Sequence, residues 1–365
     1  MYDLIVVGGG PAGASAAIVA AAAGFQVLLL ERGVFPRHKV CGEFVSAESL
    51  DLLGNLLDSR HQSLLTSAIR ISQTRVFVDG HLIKADIDPA AASIARIDLD
   101  AALWASAESC GADARQNSKV ENISGEGPFQ VKTSVGDFQS GAVINASGRW
   151  SNLTAEAGKR TNGDAKWIGI KGHFLGDATI PSVDLYFFEG GYCGVQPVNL
   201  DNSIADENRI NVCAMVRADR ATTLQEAFGK CPQLERESRN WTQLSAPVTV
   251  APLIFRAPRP ERDKIFMAGD AAVFVDPFIG DGISLGLRSG SLAAQSLLPF
   301  LRNEISLAAA IAAYRKAYVK KLAPVFNASS VIRRMLRLPR AVRTPMVHLA
   351  RKSPRISQYV IQRTR

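Results

Sequence analysis

The sequence of 365 residues predicts an α/β protein with a discontinuous domain around a parallel sheet, an inserted, mostly antiparallel β domain and a C-terminal helical tail. Three observations predict this arrangement. A Gly-x-Gly-x-x-Gly turn joins an apolar run to an Ala-rich run at the N-terminus. A second apolar run, at residues 264–268, ends in Gly-Asp. Short β-rich runs occupy residues 166–255, between these two segments.

The N-terminal turn is Gly8-x-Gly10-x-x-Gly13, and it follows the apolar residues 4–7, which we interpret as the first strand. A tight turn requires the first glycine. Close approach of a pyrophosphate requires the second, and close packing of the next helix requires the third. An ordinary turn would need only Gly8, so the motif predicts a dinucleotide site.

The helix after this turn begins with Pro11 and Ala12. Proline suits the first helical turn, and the free N–H groups of that turn face the phosphates. Gly24 ends the helix, and residues 25–30 form the predicted second strand. Glu31 follows that strand, where its carboxylate accepts hydrogen bonds from both ribose hydroxyls.

The middle of the first domain contains a predicted amphipathic helix from Arg96 to about Gly111. Two strand-like runs follow, at residues 119–123 and 129–133. Residues 142–146 are then predicted as a buried strand that ends in the turn Ser147-Gly148. The carboxyl ends of parallel strands are where α/β sheets bind ligands.

The nucleotide-binding domain resumes with a strand at residues 264–268, which ends in Gly269-Asp270. Asp270 is suited to accept a hydrogen bond from a polyol hydroxyl. The run at residues 276–282 then leads into a helix from Ile283 to about residue 298. Its N-terminus offers free N–H groups and a positive dipole end, which, if the ligand is a flavin, would stabilise the anionic edge of the reduced ring. The candidate cofactor-binding residues of this segment are Gly269, Asp270, Pro277, Gly280, Gly282 and Ile283.

The domain boundaries follow from these runs. The predicted nucleotide-binding domain consists of residues 1–70, 92–162 and 256–300. The predicted substrate domain consists of residues 71–91 and 163–255. Residues 301–365 form the predicted basic, helical C-terminal segment.

The composition, with 47% apolar and 21% charged residues, is that of an ordinary globular protein. We expect a cytoplasmic location, because no signal peptide is recognisable and the five cysteines are scattered. Their spacing is not that of a zinc site, so no metal is expected. No apolar stretch is long enough to span a membrane.

Charge is distributed unevenly along the chain. Residues 305–365 carry 14 Lys or Arg and no Asp or Glu, while the remaining 28 basic and 34 acidic residues give residues 1–304 a net charge of −6. Such a tail predicts peripheral contact with an anionic membrane, at its inner face, or with an acidic carrier protein. Solvated helical faces are the alternative, and nucleic acid is not expected as a partner. Arg333, Arg334, Arg337 and Arg340 would lie near one another on a helix that Pro339 and Pro345 limit.

These motifs resemble those of the FAD-dependent oxidoreductases that include p-hydroxybenzoate hydroxylase, geranylgeranyl reductases and flavin-dependent halogenases. The resemblance covers nearly all of residues 1–300. It implies a Rossmann-like FAD-binding domain of the p-hydroxybenzoate hydroxylase type, with FAD as cofactor and NAD(P)H or a reduced electron carrier as transient donor. The segments that carry it are the N-terminal fingerprint with Glu31-Arg32, Phe35 to Glu43, Arg96, Ala146-Ser147-Gly148, and Gly269 to Gly282. By resemblance Arg32, Arg96, Ser147 and Gly148 also bind FAD.

The sequence departs from each branch of this superfamily. Pro36-x-x-Lys39-x-Cys41 is similar to the Pro-x-x-Tyr-x-Cys motif of geranylgeranyl reductases, the branch that fits best. Residues 192–197 keep the Tyr and Pro of the reductase motif Tyr-x-Trp-x-Phe-Pro but lack its two other aromatics. Ser147-Gly148 replaces a frequent Asp-Gly and is similar to halogenases, although residues 167–171 keep only one Trp of their Trp-x-Trp-x-Ile-Pro motif.

Tyr192, Cys41 and Glu43 are the catalytic candidates near the flavin ring. Tyr192 would donate a proton as a general acid, or pack with a satisfied hydroxyl. The leading hypothesis is reduction or dehydrogenation of a carbon–carbon bond in a hydrophobic substrate, lipid-like or carrier-bound. Two alternatives are a monooxygenase or halogenase acting through a flavin hydroperoxide, and a flavoprotein that carries electrons between protein and quinone partners.

Overall fold

The computed structural model describes residues 1–149, 153, 166–176, 180–199, 208–255, 257–336 and 338–352. These residues form two β-sheets with helices around them, which confirms the predicted α/β class. The described helices are α1 (Pro11–Ala22), α2 (Leu50–Leu56), α3 (Ser63–Thr66), α4 (Arg96–Ser109), α5 (Leu224–Phe228), α6 (Pro232–Ser238), α7 (Gly282–Leu301), α8 (Leu307–Lys321), α9 (Ala323–Leu336) and α10 (Arg340–Lys352).

The first sheet is a parallel sheet with antiparallel additions. Its strands are β1 (Tyr2–Val7), β2 (Val27–Leu30), β6 (Asp113–Arg115), β7 (Val120–Ser124), β8 (Phe129–Thr133), β9 (Gly136–Asn145), β16 (Glu261–Arg262) and β17 (Ile265–Met267). Strands β17, β9, β1, β2 and β6 run parallel in that order. The chain therefore places β1 at the centre, with the turn that follows it at the carboxyl edge of the sheet.

Both faces of β1 are buried, as its continuous apolar sequence predicts. Leu4 and Val6 pack into the cluster formed with helices α1, α4 and α7. Ile5 and Val7 pack on the opposite face, against Phe129 of β8 and its neighbours. β2 begins at Val27 rather than at the predicted residue 25, and α7 continues to Leu301, three residues beyond the predicted end.

The second sheet is antiparallel except for the pair β4–β11. Its strands are β3 (Phe44–Val45), β4 (Ile69–Val78), β5 (His81–Ser93), β10 (Trp167–Leu175), β11 (Ser182–Phe188), β12 (Gly191–Pro197), β13 (Arg209–Arg217), β14 (Thr242–Gln243) and β15 (Val248–Leu253). They are ordered β14-β10-β13-β12-β11-β4-β5-β3, and β15 also pairs with β10. Strands β4 and β5 extend two residues beyond the predicted segment 71–91. The predicted boundaries at residues 162–163 and 256 lie outside the described residues.

The C-terminal segment is helical and packs on both domains. The hydroxyl of Tyr314 in α8 donates a buried hydrogen bond of 2.8 Å to the carbonyl oxygen of Met267. Arg343 in α10 binds both carboxylate oxygens of Asp79 in the β4–β5 hairpin, at 2.6 and 2.7 Å. α10 continues through Pro345, so the prediction that this proline limits the helix is wrong. Among the described residues no helix has the length and apolar character needed to cross a membrane.

Candidate functional site

The glycine-rich turn has the close contacts that its sequence predicts. Gly8 has φ of 102°, and a Cβ atom there would lie 2.4 Å from the carbonyl oxygen of Ala146. A Cβ atom at Gly13 would lie 1.7 Å from the carbonyl oxygen of Gly8. Side chains at these two positions would therefore separate the turn from the sheet and the helix. Pro11 and Ala12 begin α1, and α7 packs so closely that a Cβ at Gly290 would lie 1.9 Å from the carbonyl oxygen of Ala12.

Glu31 lies at the end of β2 beside this turn. Its buried carboxylate accepts hydrogen bonds of 2.9 Å from the N–H groups of Gly9 and Gly33, and it pairs with Arg37 at 2.8 Å. Burial by itself would raise the pKa of Glu31, but Arg37 and the two N–H groups outweigh it and hold the pKa below its usual value. The carboxylate is therefore ionised and available as an acceptor at neutral pH. Arg32, the next residue, is exposed.

Positive side chains gather on the other side of the turn. Arg96 begins α4 and pairs with the buried carboxylate of Asp100 at 2.7 Å. Its guanidinium is 4.0 Å from the position of a Cβ on Gly10. Burial, with Arg37 and Arg96 nearby, lowers the pKa of Lys39 to about 8. These cations would neutralise a bound pyrophosphate. The sequence analysis identified Arg96 as a cofactor-binding residue. It mentioned Lys39 only as part of the motif that resembles geranylgeranyl reductases, so a phosphate-binding role for Lys39 was not predicted.

The space around four glycines indicates whether the site fits a cofactor. A Cβ atom at Gly42, Gly148 or Gly282 would meet nothing within 4 Å, and one at Gly10 would meet only Arg96. Side-chain contacts connect their segments: Arg96 hydrogen-bonds Cys41, and Ser46 hydrogen-bonds Asp281 at 2.8 Å. Backbone from four parts of the chain thus faces open space, as a ligand that approaches the main chain requires. This cradle is compatible with FAD.

Asp270 lies at the far end of the cradle, one residue after Gly269. Its carboxylate is part-exposed and pairs at 3.0 Å with Arg149, whose guanidinium also lies 3.9 Å from the ring centre of Phe274. Gly269 has φ of 58°, and a Cβ there would lie 2.9 Å from Ala12. The predicted polyol acceptor is therefore available to a ligand from the solvent side. Ser147 hydrogen-bonds Asn145 through its N–H group, at 3.1 Å.

The loop before α7 forms the remaining wall. Pro277 begins a short 3-10 turn, Gly280 has φ of 77°, and Ile283 is buried in the first turn of α7. Asp281 is buried immediately before the helix, and burial raises its pKa to about 6 against the hydrogen bond from Ser46. The sequence analysis predicted this segment as a helix N-terminus with free N–H groups. It did not identify Asp281 as a titratable group.

Glu43 occupies a position that sequence reasoning did not predict. Its side chain is completely buried, and its carboxylate binds Lys171, the Nε2 atom of His173 at 2.8 Å and the N–H group of Arg96 at 2.8 Å. Burial would raise the pKa of Glu43, but Lys171 and His173 hold it at about 2. The carboxylate is thus saturated with hydrogen bonds. A catalytic role for Glu43 stays a prediction, and these contacts favour an anchoring one.

Lys171 and His173 form a cluster that the sequence analysis did not identify. They are two residues apart on β10, so they share one face of the sheet. Neighbouring strands add to this face the Nδ2 atom of Asn211, which donates to the carbonyl oxygen of Cys41 at 3.1 Å. The signal was present as Lys-x-His within an otherwise apolar strand. Its partner, Glu43, is distant in sequence.

Cys41 is half-buried between the two domains. Its sulfur accepts a hydrogen bond of 3.3 Å from the N–H group of Glu43 and also contacts Arg96. Together with the carbonyl contact to Asn211, these bonds fix the segment that leads into Gly42. Cys41 thus lies at the cradle wall, and its predicted part in catalysis remains a prediction.

Tyr192 lies on the same sheet face, at its apolar end. Its ring is buried, 5.5 Å from the ring of Phe187 and 6.0 Å from that of Phe278, which belongs to the loop before α7. Burial raises the pKa of Tyr192 well above its usual value, and Asp276 adds to the increase. Its hydroxyl makes no hydrogen bond with the described residues. The phenol is therefore protonated and free to meet a ligand.

A cavity of about 1960 Å³ begins at Tyr192 and extends to the C-terminal helices. Its inner end is lined by Tyr192, Met215, Leu253, Phe278 and Asp276, and its outer part by residues that include Lys166, Arg333, Leu338, Arg340 and Arg343. Arg333 lies 4.3 Å from the ring centre of Phe255 and 3.9 Å from Asp276, so it faces the cavity rather than the surrounding solvent. The cavity thus has a largely aromatic and aliphatic inner end that also holds the Asp276 carboxylate, and basic residues outnumber acidic ones along the rest of its wall.

Comparisons with known proteins find several similar chains. The chain is 26% identical over 360 residues to a digeranylgeranylglycerophospholipid reductase of Methanopyrus kandleri, covering 92% of this chain and 90% of that protein. It is 28% identical over 321 residues to the menaquinone reductase of Mycobacterium tuberculosis, covering 81% and 76%. The structure of the flavin-dependent brominase Bmp2 superposes with a TM-score of 0.80 at 20% identity, covering all of this chain and 93% of the other. The brominase comparison shows the shared fold.

The family described as the FAD binding domain matches residues 1–323, which include the glycine-rich turn, the cradle and the inner end of the cavity. The predicted membership of the FAD-dependent superfamily is confirmed by this match. The chain belongs to the FAD binding domain family.

Proposed function

We propose that this protein is an FAD-dependent oxidoreductase that reduces or dehydrogenates a carbon–carbon bond in an elongated hydrophobic substrate. The observation that carries the proposal is the cavity, whose inner end is lined by Tyr192 and by Phe278 of the loop that precedes α7. At about 1960 Å³ it exceeds the roughly 300–1,000 Å³ of usual small-ligand sites. A long, lipid-like or carrier-bound substrate would use this space.

FAD, when bound, supplies or accepts two electrons as a hydride equivalent. The residues that would hold it are those of the glycine-rich turn, Glu31, Arg96, Asp270 and the start of α7. NAD(P)H or a reduced electron carrier would deliver the electrons for reduction. The protein must also exclude water and provide one proton for each reduced bond.

Tyr192 supplies that proton in this proposal. Its raised pKa keeps the phenol protonated, and the apolar rings around it exclude water. A positioned general acid contributes about 10²–10⁴ to the rate. The phenolate left after donation would be reprotonated through the cavity, which reaches solvent at its outer part.

The test is an anaerobic single-turnover experiment with FAD-loaded protein that has been reduced and mixed with hydrophobic substrates from a lipid extract. We expect Tyr192→Phe to keep FAD binding and reduction but to slow oxidation of the flavin by substrate by about 10²–10⁴-fold. Tyr186→Phe is the matched control, since Tyr186 is buried on the opposite face of the same sheet. Equal rates for Tyr192→Phe and the parent would remove Tyr192 from the chemistry.

The same experiment separates the alternatives. If product forms only in the presence of oxygen, and the substrate has gained an oxygen or halogen atom, the protein is a monooxygenase or halogenase and the proposal is wrong. Oxidation by a quinone or a protein partner without any other product would replace it with electron transfer.

A further inference from the structure

The outer face of α10 carries apolar side chains that the fold leaves uncovered. Val342, Met346 and Leu349 are 52, 38 and 60% exposed. They are spaced four and three residues apart, so they lie on one face of the helix. Val347, by contrast, is buried against the protein. The helix is therefore amphipathic, with an apolar face directed away from the protein.

The orientation of α10 is fixed by a specific contact. Arg343 forms two hydrogen bonds with Asp79, which is nearly buried in the β4–β5 hairpin, and Arg340 donates to the carbonyl oxygen of Asp79 at 3.5 Å. Arg343 lowers the pKa of Asp79, so the pair is charged at neutral pH. The helix is thus held on the protein through its polar side, and its apolar face stays outside.

Exposed apolar side chains are concentrated in this part of the chain. Among the described residues thirteen large hydrophobic side chains are exposed, and five of them lie in residues 331–349. α9 contributes Val331 and Met335, four residues apart. The other eight are spread over residues 1–319, as isolated exposed residues are on ordinary surfaces.

The sequence around this helix is basic. Residues 305–365 contain 14 Lys or Arg and no acidic residue. Arg334 and Arg340 are exposed beside the apolar residues. An exposed apolar helix face with exposed arginines in the same part of the chain matches the surface of an anionic bilayer, which accepts apolar side chains at its boundary and attracts cations.

The same helices border the cavity. Leu338, Pro339, Arg340 and Arg343 line its outer part. A surface that binds through the outer face of α10 would therefore lie next to the opening.

We propose that the apolar face of α10 binds peripherally to an anionic lipid bilayer. The contact places the cavity mouth at the lipid surface. It concerns binding alone and does not depend on the proposed reaction, although it would explain how a lipid-like substrate enters.

The test is sedimentation of the full-length, FAD-loaded protein with vesicles of phosphatidylglycerol and phosphatidylcholine in equal parts, and with pure phosphatidylcholine vesicles, at low and high salt. We expect salt-sensitive binding to the anionic vesicles only. Changing Val342, Met346 and Leu349 to Ser should weaken this binding about tenfold or more.

The matched control changes Val135, Ile180 and Leu244 to Ser, three exposed apolar residues far from α10 in sequence. This control should bind like the parent. FAD content and unfolding midpoint verify that both variants are folded. Absence of parent binding at low salt, equal binding to neutral vesicles, or full binding by the α10 variant would each overturn the proposal. A parent that binds vesicles but fails the turnover test would leave this inference intact and refute only the proposed reaction.

Discussion

Two halves of one sheet face differ in how their titratable side chains are partnered. In the polar half, Lys171 and His173 are buried and bound to Glu43 from the other domain. In the apolar half, Tyr192 is equally buried, but it is surrounded by rings and its hydroxyl makes no hydrogen bond with the described residues. The register of the strands places Tyr192 opposite Met215, and Lys171 opposite Cys213, which comes two residues earlier in β13.

This difference indicates that the polar half stabilises the fold and that the apolar half contacts the substrate. A buried carboxylate that is bound by Lys171, His173 and the N–H group of Arg96 has little left to offer a substrate, but it ties β10 to the segments that carry Glu43 and Arg96. A protonated phenol in an apolar cavity contributes less to stability and can act on a ligand. We therefore expect substitutions in the polar half to affect stability, and substitutions in the apolar half to affect turnover.

The largest effect on stability is expected for Lys171→Met. This change leaves the carboxylate of Glu43 buried with one cation fewer, and breaking a buried pair costs about 3–5 kcal/mol. The free energy of unfolding, measured with denaturant on FAD-loaded protein, should fall by that amount.

The control for Lys171→Met is Lys264→Met, which removes the surface pair of Lys264 with the mostly exposed Glu126. Exposed pairs contribute little, so this variant should unfold like the parent. If both variants lost less than about 1 kcal/mol, the polar half would not be the anchor described here.

A second prediction concerns pH. The pKa of Glu43 is about 2 in the folded protein, below its ordinary value of 4.5, so the ionised carboxylate favours folding. This contribution is complete above about pH 4.5 and is lost as the pH falls towards 2. Glu43→Gln should therefore unfold more easily than the parent at neutral pH, and the difference should shrink through this acid range. A difference that stays constant from pH 7 down to the acid range would contradict the assignment of the charge to Glu43.

A smaller effect, confined to the cofactor, is expected for Asp270→Ala. Asp270 belongs to neither half, and its loss removes a charge-assisted hydrogen bond to FAD of roughly 1.5–3 kcal/mol. The dissociation constant for FAD, measured by titration of the apoprotein, should rise about tenfold to hundredfold. Asp263→Ala removes an exposed carboxylate in a surface loop and serves as the control. Unchanged FAD affinity in Asp270→Ala would refute the predicted contact.

The comparison also shows what sequence can predict. The glycine-rich turn and the segment Gly269 to Gly282 were recognisable because each motif consists of residues that are close together in the sequence. Local backbone geometry requires glycine at fixed spacings in such motifs. Tyr192 was found through a motif that its own strand contains. The cluster of Glu43, Lys171 and His173 was not found, because it depends on how a loop from one domain meets a strand of the other.

The C-terminal tail illustrates the same limit. Its helices and their charge follow from local composition, but the direction of each arginine does not. Arg333, predicted to be part of a basic outer surface, lies over Phe255 in the cavity instead. Arg340 is mostly exposed, whereas Arg343, which sequence reasoning did not single out, anchors α10 on Asp79. Arg337 lies outside the described residues. Side-chain direction depended on partners that are far away in the sequence.

The central claim is that the cofactor meets the apolar half of the sheet face, and a crystal structure of the FAD-loaded protein tests it most directly. We predict that the flavin ring lies beside the N-terminus of α7, with its reactive edge open to the cavity end at Tyr192, while Glu43 remains bound to Lys171 and His173. A structure in which protein separates the ring from Tyr192, or in which Glu43 leaves Lys171 to contact the ring, would contradict this account.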